Sequence, residues 1–260
     1  MKSVSEPLVI MILFMTVVLI SLSIFFFSTF SVDATTASVE YGYVKSLFRE
    51  IAFSIPEILN GQTVYTRHPS SLVALGFKKI PVNLTIRLEL SNNSLIQAFN
   101  KTEFYALTGG IRRNVLEDVR GSIVYGKNQT VVNEIEQLAL VREYYYNGWT
   151  MIELDTARIY YSMYKIGPSN YYLEILIADF GGFYNISEPP TVMGTGSIRL
   201  KYEPYYASVS EFSSVQNLTL ILNQTVITLK DILPPNHTID PVTGSLTVRI
   251  VYKKIAVLVS

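Results

Sequence analysis

The chain contains no cysteine. That excludes disulfides, thiolate metal sites, thiol nucleophiles and iron–sulfur clusters. Histidine is nearly missing too. His68 and His237 lie far apart, each beside turn-forming residues (Arg67-His68-Pro69 and Pro235-Asn236-His237-Thr238), and read as plain surface residues. Charge is scarce and balanced: 21 basic residues against 21 acidic ones, 16 % of the chain. With no basic excess, no nucleic-acid partner is expected. Also missing are Gly-x-Ser-x-Gly, a Gly-rich phosphate loop and His-Glu-x-x-His, so neither enzyme activity nor a cofactor nor a metal is expected. The best carboxylate pair, Glu153 with Asp155, falls on one side of a strand. Two carboxylates can serve a glycosidase, but a lone period-2 pair reads as a solvated face. Gly109-Gly110-Ile111-Arg112-Arg113 reads as a loop with solvated arginines.

Apolar residues, by contrast, are abundant, at 49 % of the chain. Between Glu6 and Asp33 no side chain is charged, and Leu8 to Phe30 is a run of 23 mostly apolar residues. As a helix it spans about 35 Å, enough for a hydrocarbon core of about 30 Å. No polar face exists over its six turns, so a buried soluble helix is a poor reading. A cleaved secretory signal has an apolar stretch of only about 7–15 residues, and Ser31-Val32-Asp33-Ala34 is a poor cleavage site. A retained single-pass anchor over 1–32 is therefore expected, with membrane lipid as its partner. Lys2 and the amino terminus place the short side in the cytoplasm and the rest outside the cell.

Lys2-Ser3-Val4-Ser5-Glu6-Pro7, followed by the apolar run, resembles the class III signal peptide of archaeal type IV pilin-like proteins. The resemblance implies a prepilin-peptidase cut after Lys2 or Ser3, although the cut lacks Gly or Ala. It also implies that Glu6, near the new amino terminus, assists assembly. Read from the residues alone, Glu6 caps the start of an apolar helix, where a carboxylate suits the helix dipole.

After Asp33 the pattern changes. Val44, Leu47, Phe48, Ile51, Ile55, Ile58 and Leu59 recur at helical spacing, with Lys45, Arg49, Glu50 and Glu57 on other faces. This predicts an amphipathic stalk helix over 33–60. Asp33 would be an N-cap between anchor and stalk, Pro56 would kink or end the last turn, and Asn60-Gly61 would stop it. The apolar stripe needs cover, and the chain's own β domain is favoured over the same helix of a neighbouring subunit.

Residues 61–260 read as β-rich. Ile80 to Leu90 alternates strictly, Val82, Leu84, Ile86, Leu88 and Leu90 against Asn83, Thr85, Arg87 and Glu89. Ser91-Asn92-Asn93-Ser94 is a turn. Further strands are predicted at 122–125, 138–146, 150–154, 157–165, 171–179, 197–202, 218–222, 226–229 and 246–259, with short helical turns near 95–99 and 131–136. Gly181-Gly182 and Glu188-Pro189-Pro190 mark a candidate subdomain boundary near 181–195. The expected class is α+β: a long N-terminal transmembrane and stalk helix, then an antiparallel, sandwich-like extracellular domain. Gly121-Ser122-Ile123-Val124-Tyr125 and Tyr144-Tyr145-Tyr146-Asn147-Gly148 are similar to the β region of the same pilin-like family, which extends the resemblance to about residue 180. The paired tyrosines 160–161, 171–172 and 205–206 suit a stacking surface or an interface, with half of each pair in the core.

Eight of the fourteen asparagines begin Asn-x-Ser/Thr: Asn83, Asn92, Asn100, Asn128, Asn185, Asn217, Asn223 and Asn236. Ser and Thr are about 17 % of the chain, so chance supplies about two such motifs. None has proline at x and none precedes the β domain, as N-glycosylation outside the cell requires. The expectation is a pilin-like or pilus-associated surface glycoprotein, structural or adhesive, with other pilin-like subunits or surface proteins as partners. The alternative is a membrane-anchored extracellular binding module that never assembles.

Overall fold

The computed structural model describes residues 5–68, 72–112, 114–116, 120–133, 138–167, 170–183, 196–202, 207–233 and 245–259. Its first element is one helix, α1, running unbroken over Ser5–Leu59. At 1.5 Å per residue it is about 80 Å long. Asp33 is therefore not an N-cap but an exposed mid-helix residue. The Val32-Asp33-Ala34-Thr35 segment contains no Gly or Pro that would break the backbone ladder. Pro56 does not break the helix either. It sits in the final turn, where only one backbone bond is forfeited. The stop comes at Asn60-Gly61. Gly61 adopts φ +99°, its N–H donates to the Ile58 carbonyl (2.9 Å), and Gln62 N–H donates to that of Glu57 (3.1 Å). This is a Schellman closure, which favours glycine because the left-handed backbone costs it nothing. Lys253 adds its Nζ to the Leu59 carbonyl at 2.9 Å, a cation at the negative end of the helix dipole.

Among the described residues, thirteen strands come after α1, all in one connected sheet. They are β1 (Thr63–His68), β2 (Ala74–Leu90), β3 (Leu95–Ile111), β4 (Ser122–Tyr125), β5 (Val131–Val132), β6 (Leu140–Tyr146), β7 (Trp149–Asp155), β8 (Ile159–Lys165), β9 (Asn170–Phe183), β10 (Gly196–Tyr202), β11 (Ser208–Leu222), β12 (Thr225–Thr228) and β13 (Ser245–Val259). A single-turn helix, α2 (Leu229–Ile232), directly succeeds β12. The strand order is β4-β6-β7-β3-β2-β11-β13-β9-β8-β5, with β1 and β10 branching from β13 and β12 from β11.

The sheet is mixed rather than antiparallel throughout. β9 with β13 and β5 with β8 run parallel. Alternation fixes which face a side chain takes but not the direction of the neighbouring strand. Parallel partners need a long crossover, which the chain between residues 183 and 245 provides for β9 and β13. The strands on either side of the 181–195 stretch share this sheet, while residues 184–195 lie outside the described set. The segment read as a helical turn near Leu95–Phe99 is strand, because the 91–94 turn hands β2 directly to β3 and the two pair over nearly their full length. Val131–Val132 is also strand, and 134–137 lie outside the described residues.

Two cores lie on this sheet. In the first, Ala37, Tyr41, Val44, Leu47, Phe48, Ile51, Ala52, Ile55, Ile58 and Leu59 of α1 are buried against the sheet. They cover Leu75, Leu107, Ile152, Leu154, Phe180 and Val257 among others. Gly109 allows the close approach: a Cβ there would stand 3.3 Å from Phe48, 3.1 Å from Leu75 and 3.0 Å from Ile152. So Gly109-Gly110 is strand under the helix, not loop. The second core fills the curl of the sheet with alternate residues of β2 (Val82, Leu84, Ile86, Leu88), β9, β11 and β13, plus Leu229 and Ile232 of α2. β2 serves both cores by alternation, with Leu75 and Phe77 on one face toward the first and Val82, Leu84, Ile86 and Leu88 on the other toward the second, and a bulge between Pro81 and Leu84 tolerates the proline.

Candidate functional site

Residues 7–30 of α1 make almost no contact with the rest of the chain. Apart from half-buried Val18, its large apolar side chains face outward, from Leu8 (57 % exposed) to Phe30 (67 %). This is one helix long and apolar enough to span a membrane. Three of its five hydroxyls turn inward: Thr16, Ser23 and Thr29 donate to the carbonyls four residues back, at 2.8, 2.8 and 2.9 Å, which satisfies them without water. Glu6 lies in the first turn of α1, but its side chain falls outside the described set.

Six sequons fall within the described residues, and all six asparagines are exposed: Asn83, Asn92, Asn100, Asn128, Asn217 and Asn223. Asn185 and Asn236 lie outside those residues. Five of the six lie on β2, β3 and β11 or on the turns that adjoin them, with Asn83, Asn100 and Asn217 on the strand face opposite the second core. Thr85 pairs in register with Asn100, and Asn217 with Glu89. The Thr85 hydroxyl lies 3.3 Å from Oδ1 of both Asn83 and Asn100. Asn223, at φ +55°, accepts the Asn83 N–H at 2.9 Å and donates its own N–H to the Asn83 carbonyl at 2.8 Å. Asn92 sits on the β2–β3 turn and accepts from Ser94 N–H (3.0 Å) and Oγ (2.6 Å). The β2–β3 hairpin and the distant β11 with its following turn thus bring Asn83, Asn100 and Asn223 close together. Asn128 stands apart in the loop between β4 and β5, where the Arg158 guanidinium donates to the adjacent Lys127 carbonyl.

The carboxylate pair read from β7 is indeed on one side of its strand, opposite Ile152 and Leu154, but the two groups do different work. Glu153 is buried (1 % exposed) and fully engaged. Arg142, its direct cross-strand partner, donates to Oε1, Tyr144 Oη donates to Oε2 at 3.0 Å, and Lys78 stands 3.7 Å away. Burial, then the Glu153 charge, push the Tyr144 hydroxyl up to about 12. Asp155 accepts the Ala157 N–H at 2.7 Å, and burial raises its pKa. A cleft of about 700 Å³ opens here, lined by Lys78, Arg120, Arg142, Glu143, Tyr144 and Glu153. The geometry leaves Glu153 neutralised by cations, unlike a catalytic acid poised beside a nucleophile.

Two buried polar clusters escaped the sequence reading. Glu143 on β6 accepts from Tyr41 Oη (3.2 Å), Lys45 Nζ (2.9 Å) and Ser122 Oγ (2.7 Å), which pins α1 to the sheet edge. Tyr41 and Lys45 are one turn apart, the only clue in the sequence. In the second cluster, Asp179 on β9 accepts from Lys101 on β3 and Tyr252 on β13. Nothing local in the sequence links those three residues. Of the paired tyrosines, Tyr171 is buried in the second core while Tyr172, Tyr160 and Tyr161 are half-buried, and 205–206 lie outside the described residues. Among the described residues, no three His, Asp or Glu gather as a metal site. His237 lies outside them, as does the His68 side chain.

Compared with protein-family models, curated proteins and solved structures, the chain matches none of them.

Proposed function

We propose that the protein is a membrane-anchored, cell-surface glycoprotein that acts as a pilin-like subunit, with a structural or adhesive role and no enzymatic one. The observation that carries this reading is the single unbroken helix of 55 residues. Its first half offers nothing but apolar surface, and its second half is fixed to the β domain. Such a helix can lodge in a bilayer, and the same surface can pack against copies of itself once the subunit is withdrawn from lipid. The β domain stands outside the cell, and the asparagine-rich face carries its glycans. By the family resemblance, Glu6 pairs with the freed amino group of a neighbouring subunit, because a carboxylate among apolar helices needs a cation.

The test compares sheared surface filaments with membranes, for wild type and Glu6→Ala, with amino-terminal sequencing and glycopeptide mass spectrometry of both fractions. Wild type should appear in the sheared fraction, cut after Lys2 or Ser3, with glycan at several sequons. Glu6→Ala should remain in the membrane. Wild type that keeps Met1 and never leaves the membrane would make the protein an anchored binding module instead. Unmodified asparagine at every sequon would remove the glycoprotein assignment.

A further inference from the structure

We propose that Lys101 and Asp179 condense to form an intramolecular isopeptide bond, a covalent cross-strand tie in a chain without cysteine. Lys101 Nζ stands 2.6 Å from Asp179 Oδ2, with Lys101 20 % exposed and Asp179 1 %. The pair sits between aromatic rings: Nζ is 5.0 Å from the Phe104 centroid and 4.7 Å from that of Tyr252, and Phe99 leans against Tyr252, tilted by 47°, with centroids 5.5 Å apart. For the amine to add, a proton must first pass from the ammonium to the carboxylate, and the direct Nζ–Oδ2 contact provides the path.

The two oxygens of Asp179 are held for different fates. Oδ1 accepts the Tyr105 backbone N–H at 3.1 Å. A fixed donor at that oxygen stabilises the negative charge that develops on it when an amine adds to the carbon. Oδ2 faces both Nζ and the Tyr252 hydroxyl, which donates to it at 3.1 Å and also touches Nζ. Nζ adds to Cγ and the C–N bond forms, while Tyr252 Oη passes a proton to Oδ2 and takes one from Nζ. The Cγ–Oδ2 bond then breaks, Oδ2 departs as water, and Oδ1 remains as the amide oxygen. Ammonium plus carboxylate thus becomes amide plus one water, with no oxidant or co-reactant.

The position also suits a tie. β3 and β9 are separated in the sheet by β2, β11 and β13, so no backbone ladder joins them. They meet only because the sheet curls, and the Lys101–Asp179 contact spans the mouth of that curl.

The full-length chain, produced without glycosylation and purified in detergent, decides the matter by intact mass and peptide mapping. Wild type should be lighter than its sequence by one water, with a branched peptide joining Lys101 to Asp179, and Lys101→Arg should have its full mass. Wild type at full mass, with separate linear peptides, would show an ordinary buried ion pair and overturn the proposal. So would the same deficit in Lys101→Arg, or a linear peptide dehydrated at Asp179. Should Lys101→Arg fail to fold, the wild-type peptide map alone gives the answer.

Discussion

Residues 7–30 and residues 37–59 belong to the same helix, and both are rich in large apolar side chains, yet they behave as different materials. In the first half apolar residues cover every side and almost none is buried. In the second most of them form one stripe, at spacings of mostly three and four, and the stripe is almost wholly inaccessible to solvent, while Val39, Tyr43 and Phe53 stay exposed off it. The difference lies in the remaining faces. Lys45, Arg49, Glu50 and Glu57 give the second half a wet side, so only one orientation on the sheet buries its apolar stripe. The first half has no wet side and so cannot be satisfied by any single surface of its own domain. On the function proposed above, its cover is lipid or other apolar helices.

Substitutions on the two halves should separate them sharply. The largest effect is expected at Phe48, which is fully buried on α1. Phe48→Ala should cost about 3–5 kcal/mol of unfolding free energy, measured by urea titration of the full chain in detergent. A loss near zero would mean that the second half is not fixed to the sheet.

A smaller effect is expected at the polar pin. Glu143→Ala strips the partner from Tyr41 and Ser122 while the 38 %-exposed Lys45 returns to water. The expected loss is about 2–3 kcal/mol. Tyr41→Phe, which removes one donor only, should recover most of it in the same titration.

Asp155 sharpens the comparison on the strand beneath the helix. Its folded pKa is raised by burial, so the folded state holds its proton more tightly than the unfolded chain does, whose carboxyl titrates at about 3.9. The destabilisation is therefore absent below about pH 4 and sets in as pH rises through the folded value. Asp155→Asn keeps an acceptor for the Ala157 N–H and removes the charge. It should raise the melting temperature by about 2 °C at pH 7 and leave it unchanged at pH 3. An equal shift at both pH values would contradict the electrostatic account.

The smallest effect belongs to the anchor. Phe26 is 68 % exposed within the chain, and Phe26→Ala should change the unfolding free energy of the β domain by less than about 0.5 kcal/mol. A change as large as that of Phe48→Ala would erase the distinction between the halves.

Much of this architecture was legible from periodicity. All seven stripe residues read from Val44 to Leu59 are buried, and the strict alternation of Ile80 to Leu90 lies within β2. β1 and the first half of β11 were missed because their residues are mostly polar and lack an alternating core face, as in Ser208-Val209-Ser210-Glu211. They become strands through pairing with β10 and β13. Of the site, the sequence marked the asparagines but not their convergence, since Asn83, Asn100 and Asn223 meet only when β2, β3 and β11 align.

The sequence by itself determined the long apolar helix, the wet and dry faces of its second half, the β character of the chain beyond residue 61 and the exposure of the described sequons. Each of those arises from the order of neighbouring side chains along a helix or strand. Strand direction, the Glu143 pin and the meeting of Lys101 with Asp179 were decided only by tertiary structure. They depend on which distant segments become neighbours when the sheet curls, and no local pattern of side chains encodes that distance.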